Sequence, residues 1–307
     1  MQSSNTVLMV RPAHFAFNVE TAENNAFMRP AERLSEAEIV VRAREEFEAL
    51  VAALRAAGVT VLVVDDSPEP IKPDSVFPNN WFSSHAGDLV VTYPMYAPTR
   101  RAERDNPVLE CLGSSHLIGR TIALEHAEAD GRYLEGTGAM VLDRVHRVCY
   151  LCESERAHRG LAERWCALLN YELVAFTATD RDGLPVYHTN VIMAVGTREA
   201  IVCFESIPAE ADRARIRAAF AKTGHEVIDI SFEQVLHFAG NALEVLDGAG
   251  VARWVMSRQA FDALTERQRA SLSRGGPIVH ADLTAIEQLG GGSARCMIAE
   301  VFLTPKT

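Results

Sequence analysis

Leu134-Glu-Gly-Thr-Gly-Ala-Met-Val-Leu142, then Val148-Cys-Tyr-Leu-Cys152, the run Arg156 to Leu169 and Glu172-Leu-Val-Ala-Phe176 form the stretch that decides the fold. It opens on a polar, glycine-containing loop. Two short apolar runs rich in branched side chains follow, and they read as strands. Arg156 to Leu169 has helical spacing, and Glu172 to Phe176 reads as a third strand. The order is loop, strand, strand, helix, strand.

The same order returns along the chain. After Tyr187-His-Thr-Asn190, the runs Val191–Val195 and Ala200–Phe204 read as strands, Ala209 to Thr223 as a helix and Glu226–Ile230 as a strand. Comparable loops open at Phe77-Pro-Asn-Asn-Trp81, Phe238-Ala-Gly-Asn241 and Ser293-Ala-Arg-Cys296. Asn80, Glu135, His188, Asn241 and Cys296 follow one another at steps of 53 to 55 residues, and one further step back from Asn80 lands on Asn25. A fixed period of this size signals a repeat architecture. The first unit supplies the helix Ser35 to Ala57, with Ser35-Glu-Ala-Glu38 as a capping element, and the strand Val59 to Val64.

The last apolar run, Met297–Leu303, has no helix after it, and the first, Val7–Val10, has no strand before it. Pairing the two ends completes the pattern and removes exposed sheet edges. The fold expected is α/β: a five-fold pseudosymmetric propeller of ββαβ repeats with its termini paired to close the ring. It is read as one domain over 1–307, with repeats at about 1–75, 76–130, 131–180, 181–232 and 233–307, the last strand closing onto the first.

Composition narrows the function classes. The chain has 307 residues, 48% of them hydrophobic, and 41 acidic against 30 basic residues give a net charge of −11. That charge speaks against nucleic acid and against an anionic membrane surface as partners. No run approaches the roughly 20 apolar residues of a membrane helix. The first ten residues lack the pattern of a signal peptide. Six scattered cysteines do not read as a disulfide framework, so a reducing cytoplasm is the expected location.

In a ring of equivalent units the corresponding loops face the axis, which gathers a thiol, an imidazole, a carboxylate and several carboxamides. Cys296 follows Gly290-Gly-Gly-Ser-Ala-Arg295, where a glycine turn lets backbone N–H groups come close to a bound atom and Arg295 stands ready to favour a thiolate. A buried inert thiol is the alternative, and the other five cysteines keep that reading. Cys149 and Cys152 form a lone pair within a strand, so no metal is expected. His188 has the chemistry to protonate a leaving nitrogen, and His237 is the competing pocket imidazole. Glu135 would orient and stabilise the imidazolium. Asn80 and Asn190 each offer a donor and an acceptor, as does Asn241, which fits a turn equally well. Arg11 and Asn18, after the first strand, are candidates to grip a carboxylate.

Taken together, Phe-Pro-Asn-Asn, Glu-Gly-x-Gly, His-x-Asn and Gly-Gly-Gly-x-x-Arg-Cys-Met resemble the pentein superfamily of guanidino-group-modifying enzymes, and most of all its citrulline-utilisation hydrolases (citrulline ureidases), amidinotransferase-like proteins. The resemblance implies Cys296 as nucleophile, His188 as general acid and base, and Glu135 as its carboxylate partner. Where deiminases carry Phe-x-Arg-Asp, Glu-Gly-Gly-Asp and His-x-Asp, this chain has Phe77-Pro-Asn-Asn80, Glu135-Gly-Thr-Gly138 and His188-Thr-Asn190. Two carboxamides and a glycine replace three carboxylates. A buried guanidinium needs fixed opposite charge, whereas a neutral ureido group needs donors and acceptors.

The expected activity is therefore hydrolysis of L-citrulline to L-ornithine, carbon dioxide and ammonia through a covalent cysteine intermediate, with no cofactor required. Arginine dihydrolase, deiminase and amidinotransferase remain the enzyme alternatives. A propeller-type binding protein is the non-enzyme alternative, and such proteins lack the Cys, His and Glu set. The expected partner is a small amino acid with a ureido or guanidino group, with a homodimer left open.

Overall fold

The computed structural model describes residues 1–30, 34–105 and 107–306. Its strands form five three-stranded sheets. One holds β1 (Thr6–Arg11) and β2 (Thr60–Asp65), one β3 (Phe82–His85), β4 (Leu89–Thr92) and β5 (Arg120–Ala123), and one β6 (Met140–Asp143), β7 (Val148–Cys152) and β8 (Glu172–Phe176). The fourth holds β9 (Met193–Val195), β10 (Glu199–Val202) and β11 (Glu226–Asp229), and the fifth β12 (Leu243–Leu246), β13 (Ala252–Ser257) and β14 (Val279–Ala281). β15 (Ala299–Glu300) completes the first sheet by pairing antiparallel with β1, Val7 opposite Glu300 and Leu8 opposite Ala299.

Every sheet has the same pairing. Its first two strands are antiparallel and its last two parallel. A parallel pair cannot be joined by a tight turn, so each needs a crossover. Glu36–Ala56, Arg159–Leu169 and Glu210–Thr223 are the long helices among these crossovers. Glu36–Ala56 buries Ile39, Ala43, Phe47, Leu50 and Leu54, one stripe at three- and four-residue spacing. Ser35 and Glu38 form the expected reciprocal cap. Arg159–Leu169 buries Leu161, Ala162, Trp165, Cys166 and Leu169, and Asn170 ends it in the left-handed conformation.

The fold is thus a mixed α/β arrangement of small sheets. The expected closure of the ring is not the closure of a sheet: among the described residues the five sheets stay separate. Three strands with a covering helix already bury their apolar face, so continuous hydrogen bonding around the molecule is not needed. No described helix is long and apolar enough to cross a membrane.

Candidate active site

The first strand of each sheet is preceded by a single buried turn. These turns are Pro78–Asn80, Gly136–Ala139, Thr189–Val191, the bend closed by Asn241 N–H on Phe238 C=O, and the bend closed by Cys296 N–H on Ser293 C=O. Apolar strands pull them inward, and their polar side chains are then satisfied by one another. Thr137 Oγ1 donates to Asn79 C=O at 3.3 Å, and Thr189 Oγ1 to Ala139 C=O at 2.5 Å. Asn241 Nδ2 donates to Asn190 C=O at 3.2 Å, and Arg295 N–H to Asn241 Oδ1 at 3.1 Å. Gly290 and Gly292 close on the Phe77 ring, where a side chain at Gly290 would come within 2.7 Å.

This packing gathers the expected set. His188 Nε2 lies 2.8 Å from Glu135 Oε2, both side chains buried. Glu135 Oε1 accepts Tyr96 N–H at 2.9 Å. Because Nε2 donates to the carboxylate, Nδ1 is the nitrogen left for proton transfer. Burial pushes Glu135 toward its neutral form, but Arg156, His188 and Arg100 outweigh it and hold the carboxyl at about 2. Burial lowers His188 below the usual imidazole value despite Glu135. The pair therefore rests as neutral imidazole against carboxylate.

Cys296 Sγ receives two carboxamide N–H groups, from Asn241 at 3.2 Å and Asn190 at 3.4 Å. Asn80 Oδ1 accepts from Arg100 Nη1 at 2.8 Å. Asn80 Nδ2 and Asn190 Oδ1 are buried without a partner, leaving one donor and one acceptor beside the sulfur and the imidazole. Gly138 makes the room: a Cβ there would sit 2.3 Å from Asn80 Nδ2 and 2.7 Å from His188 Nδ1.

A cleft joins Cys296, His188 and Asn80 to Thr21, Asn25, Asp74, Phe77, Arg100, Arg156 and Tyr187. It shares Asn25, Arg156 and Tyr187 with a wider outer cleft of about 520 Å³, whose rim carries Glu23, Glu153 and Glu155. Three charged residues of the inner cleft escaped the sequence reading. Arg100 is held by Glu103 through Nε at 2.7 Å and Nη2 at 2.9 Å, with further bonds to Asn80 and Phe77. Arg156 uses Nε and Nη2 on Asn24 and Thr21, Nη1 lies 3.8 Å from Glu135 Oε2, and the guanidinium stands over the Tyr187 ring at 5.1 Å. Asp74 Oδ2 accepts from Asn18 at 2.8 Å and Thr21 at 3.2 Å, while buried Oδ1 has no partner. Burial pushes the Asp74 carboxyl up, and the Arg100 charge offsets this only in part.

Three expectations are corrected, those for Arg11, Asn18 and His237. Arg11 does not reach the cleft: it pairs with Glu48 and Asp65 on a half-exposed surface, where opposite charges from helix and strand claim it. Asn18 stands behind Asp74 and spends both ends of its amide, Oδ1 capping a turn at Glu20 and Nδ2 on Asp74 and Thr99. The Arg295 guanidinium is held by Ile298 C=O and Glu300 and still acts electrostatically on Cys296, while its backbone N–H bonds the Asn241 side chain in the cysteine turn. His237 is exposed at the end of the helix Phe232–Leu236.

Residues 11–303 match the family model described as N,N dimethylarginine dimethylhydrolase, eukaryotic. No curated protein matches the sequence. Among solved structures, apo ArgZ, an arginine dihydrolase from the ornithine–ammonia cycle in cyanobacteria, is 18% identical with a TM-score of 0.74, covering 98% of this chain and 41% of that one. The ArgZ N-terminal domain bound to substrate is 19% identical with a TM-score of 0.73, covering 97% and 99%. A dimethylarginine dimethylaminohydrolase adduct with S-methyl-L-thiocitrulline is 17% identical with a TM-score of 0.66, covering 97% and 99%. At these identities the likeness is one of fold, and the chain spans about two-fifths of full-length ArgZ.

Proposed function

The chain belongs to the N,N dimethylarginine dimethylhydrolase family, and with it to the guanidino-modifying pentein superfamily, and on that premise we propose that it is a cysteine hydrolase cleaving a C–N bond at the ureido or guanidino carbon of a free amino acid, L-citrulline first. The observation that carries this reading is the buried thiol with two carboxamide donors in one cleft with a carboxylate-held imidazole. In it the five turns face a common axis as the blades of a single-domain propeller.

The chemistry follows from the geometry. The Cys296 proton passes to His188 Nδ1, and the sulfur attacks the ureido carbon. Asn190 and Asn241 support charge on sulfur. Glu135 stabilises the imidazolium, which then gives its proton to the departing ornithine nitrogen. A carbamoyl thioester remains. His188, again a base, takes a proton from water, and the hydroxide releases carbamate, which breaks down to carbon dioxide and ammonia. Citrulline and one water give ornithine, carbon dioxide and ammonia. Arg156, which lines the cleft with Nη1 3.8 Å from Glu135, serves the substrate α-carboxylate.

The preference for a ureido group rests on Asn80 Nδ2 and Asn190 Oδ1. A ureido group has a carbonyl for the first and N–H for the second. A guanidinium has only donors and would leave Asn80 Nδ2 unmatched. A second reading, arginine dihydrolase, is favoured by one observation: Asp74 brings a buried carboxylate with an unpartnered oxygen into the cleft, a partner for either a guanidinium or an α-ammonium.

The test is a product panel. Pure protein is incubated separately with citrulline, arginine and N,N-dimethylarginine, and ornithine, citrulline, ammonia and dimethylamine are quantified. Ornithine and ammonia from citrulline are expected. Ornithine with two ammonia from arginine, and no turnover of added citrulline, would establish the second reading. Citrulline accumulating from arginine or dimethylarginine would overturn both.

A further inference from the structure

Away from the cleft, a carboxylate and two imidazoles meet where the β6–β7 turn approaches the start of β11. Asp143, His146 and His225 each present one ligand atom within 4.8 Å of the other two. Asp143 is buried, and its Oδ1 accepts the His146 backbone N–H at 2.8 Å, so the carboxylate is fixed by its own turn. His146 Nδ1 lies 2.9 Å from Asp143 Oδ2, on a side chain that is 41% exposed. The His225 side chain is buried, with Nε2 3.0 Å from Gly196 C=O. A carbonyl only accepts, so Nε2 carries the proton and Nδ1 the lone pair. That nitrogen faces Asp143 Oδ2 at 3.9 Å. An imidazole whose second nitrogen is anchored on a carbonyl is the arrangement metal-bound histidines use. Thr223 Oγ1 donates to His225 Nδ1 at 2.7 Å, and Ala219 C=O and Phe220 C=O, at 3.1 and 3.2 Å, are the acceptors to which its proton turns when an ion takes the lone pair.

A second observation points to the same place. The Tyr150 hydroxyl is buried without a partner. Asp143 pairs with Val148, and directly opposed residues share a sheet face, as do residues two apart on one strand. Tyr150 therefore stands on the Asp143 face, one diagonal away. Its ring meets Phe220 at 4.9 Å, and Phe220 meets His225 at 5.9 Å. A buried O–H without a partner on that sheet face is free to bond a water.

We propose that Asp143, His146 and His225 bind a divalent transition-metal ion, zinc first, with water as fourth ligand. Two imidazole nitrogens and one carboxylate oxygen suit zinc in tetrahedral geometry. The His146 proton now on Nδ1 moves to the outer Nε2, so the ring stays neutral. The ion ties the sheet of β6–β8 to that of β9–β11 and acts as a staple. None of its ligands lines the Cys296 cleft.

The experiment uses full-length protein treated with a chelator, then titrated with zinc by calorimetry and melted with and without the ion. One equivalent bound and a higher melting temperature are expected. His146→Ala, on the exposed side, should weaken binding at least tenfold and abolish the rise, while Cys296→Ala retains both. Cobalt in place of zinc should give the absorption of a nitrogen and oxygen site with no thiolate charge-transfer band. The proposal is overturned if the wild type binds no ion, if folded His146→Ala binds as the wild type does, or if the thiolate band appears and Cys296→Ala removes it. Should His146→Ala not fold, His225→Gln and the wild-type cobalt spectrum decide between the same outcomes.

Discussion

In the proposed mechanism Cys296, His188 and Glu135 act as one unit, and each constrains a different measurement. Replacing Cys296 by Ala should abolish turnover without unfolding the protein, because the thiol spends no donor on its surroundings. Asn190→Ala or Asn241→Ala should each lower kcat about ten- to a hundredfold, the effect of one hydrogen bond to a charged group, about 1.5–3 kcal/mol. The pH dependence follows from the paired imidazole and carboxylate. The proposed turnover needs neutral His188, whose pKa burial lowers, so activity should fall on the acid side only below the usual imidazole range, near 6.5. For stability, Glu135 goes from an ordinary 4.5 to about 2 on folding. Its contribution, about 3 kcal/mol at one pKa unit per 1.36 kcal/mol, is complete above 4.5 and lost as pH falls through 2. Urea unfolding between pH 2 and 7 checks this, with Glu135→Gln expected to remove that part of the slope. At this scale the period of 53 to 55 residues exposed Asn80, Glu135, His188, Asn241 and Cys296, because each stands in the turn before a first strand. Asp74, Arg100 and Arg156 carry no such period. Arg156 reads as the start of a helix that in fact begins at Arg159, and what brings it to the cleft is Asn24 and the Thr21 carbonyl, about 130 residues away.

Single turns and helix ends decide where these side chains stand. The Gly136–Ala139 turn presses against the turn of Asn79 and Asn80, so Gly138→Ala would drive a Cβ into Asn80 and His188. Activity should fall by more than the melting temperature suggests, which parallel kinetics and calorimetry would show. By contrast, Ser35→Ala removes a reciprocal cap far from the cleft and should lower stability by about 1 kcal/mol with kcat unchanged. β7 and β8 stand where the apolar runs place them. The first strands do not: Ala139–Leu142 and Val191–Val195 read as strands from their first residue, but β6 starts at Met140 and β9 at Met193. The turns ahead of them are as buried as the strands, so hydrophobicity alone carries no mark of the change. β15 is shorter still, two residues of the apolar run Met297–Leu303.

For the whole molecule, the buried N-terminal segment matters as much as any sheet. Gln2 Nε2 donates to Leu142 C=O and to Val195 C=O, each at 2.9 Å, and Gln2 Oε1 accepts Arg144 N–H at 2.7 Å. Ser3 Oγ reaches Glu244 Oε1 at 2.7 Å, and Ser4 Oγ reaches Val301 C=O at 2.5 Å. One short segment thus ties β6, β9, β12 and the chain end together. Gln2→Ala would strand two carbonyls and an amide, and should lower stability by about 2–3 kcal/mol, read by urea unfolding. The pairing of β1 with β15 was legible because each terminal apolar run lacked a partner of its own. The Gln2 contacts were not, since a lone polar residue at a chain end gives no sign of what it will meet.

During turnover Cys296 is expected to carry the substrate's carbon as a carbamoyl thioester. This is tested by quenching the enzyme with acid during reaction with L-citrulline and mapping the protein by peptide mass spectrometry. A carbamoyl group on the peptide containing Cys296, absent from His188→Ala and cleared once citrulline is exhausted, is the result expected. Ornithine released at full rate by Cys296→Ala, or a stable modification on another cysteine alone, would contradict it.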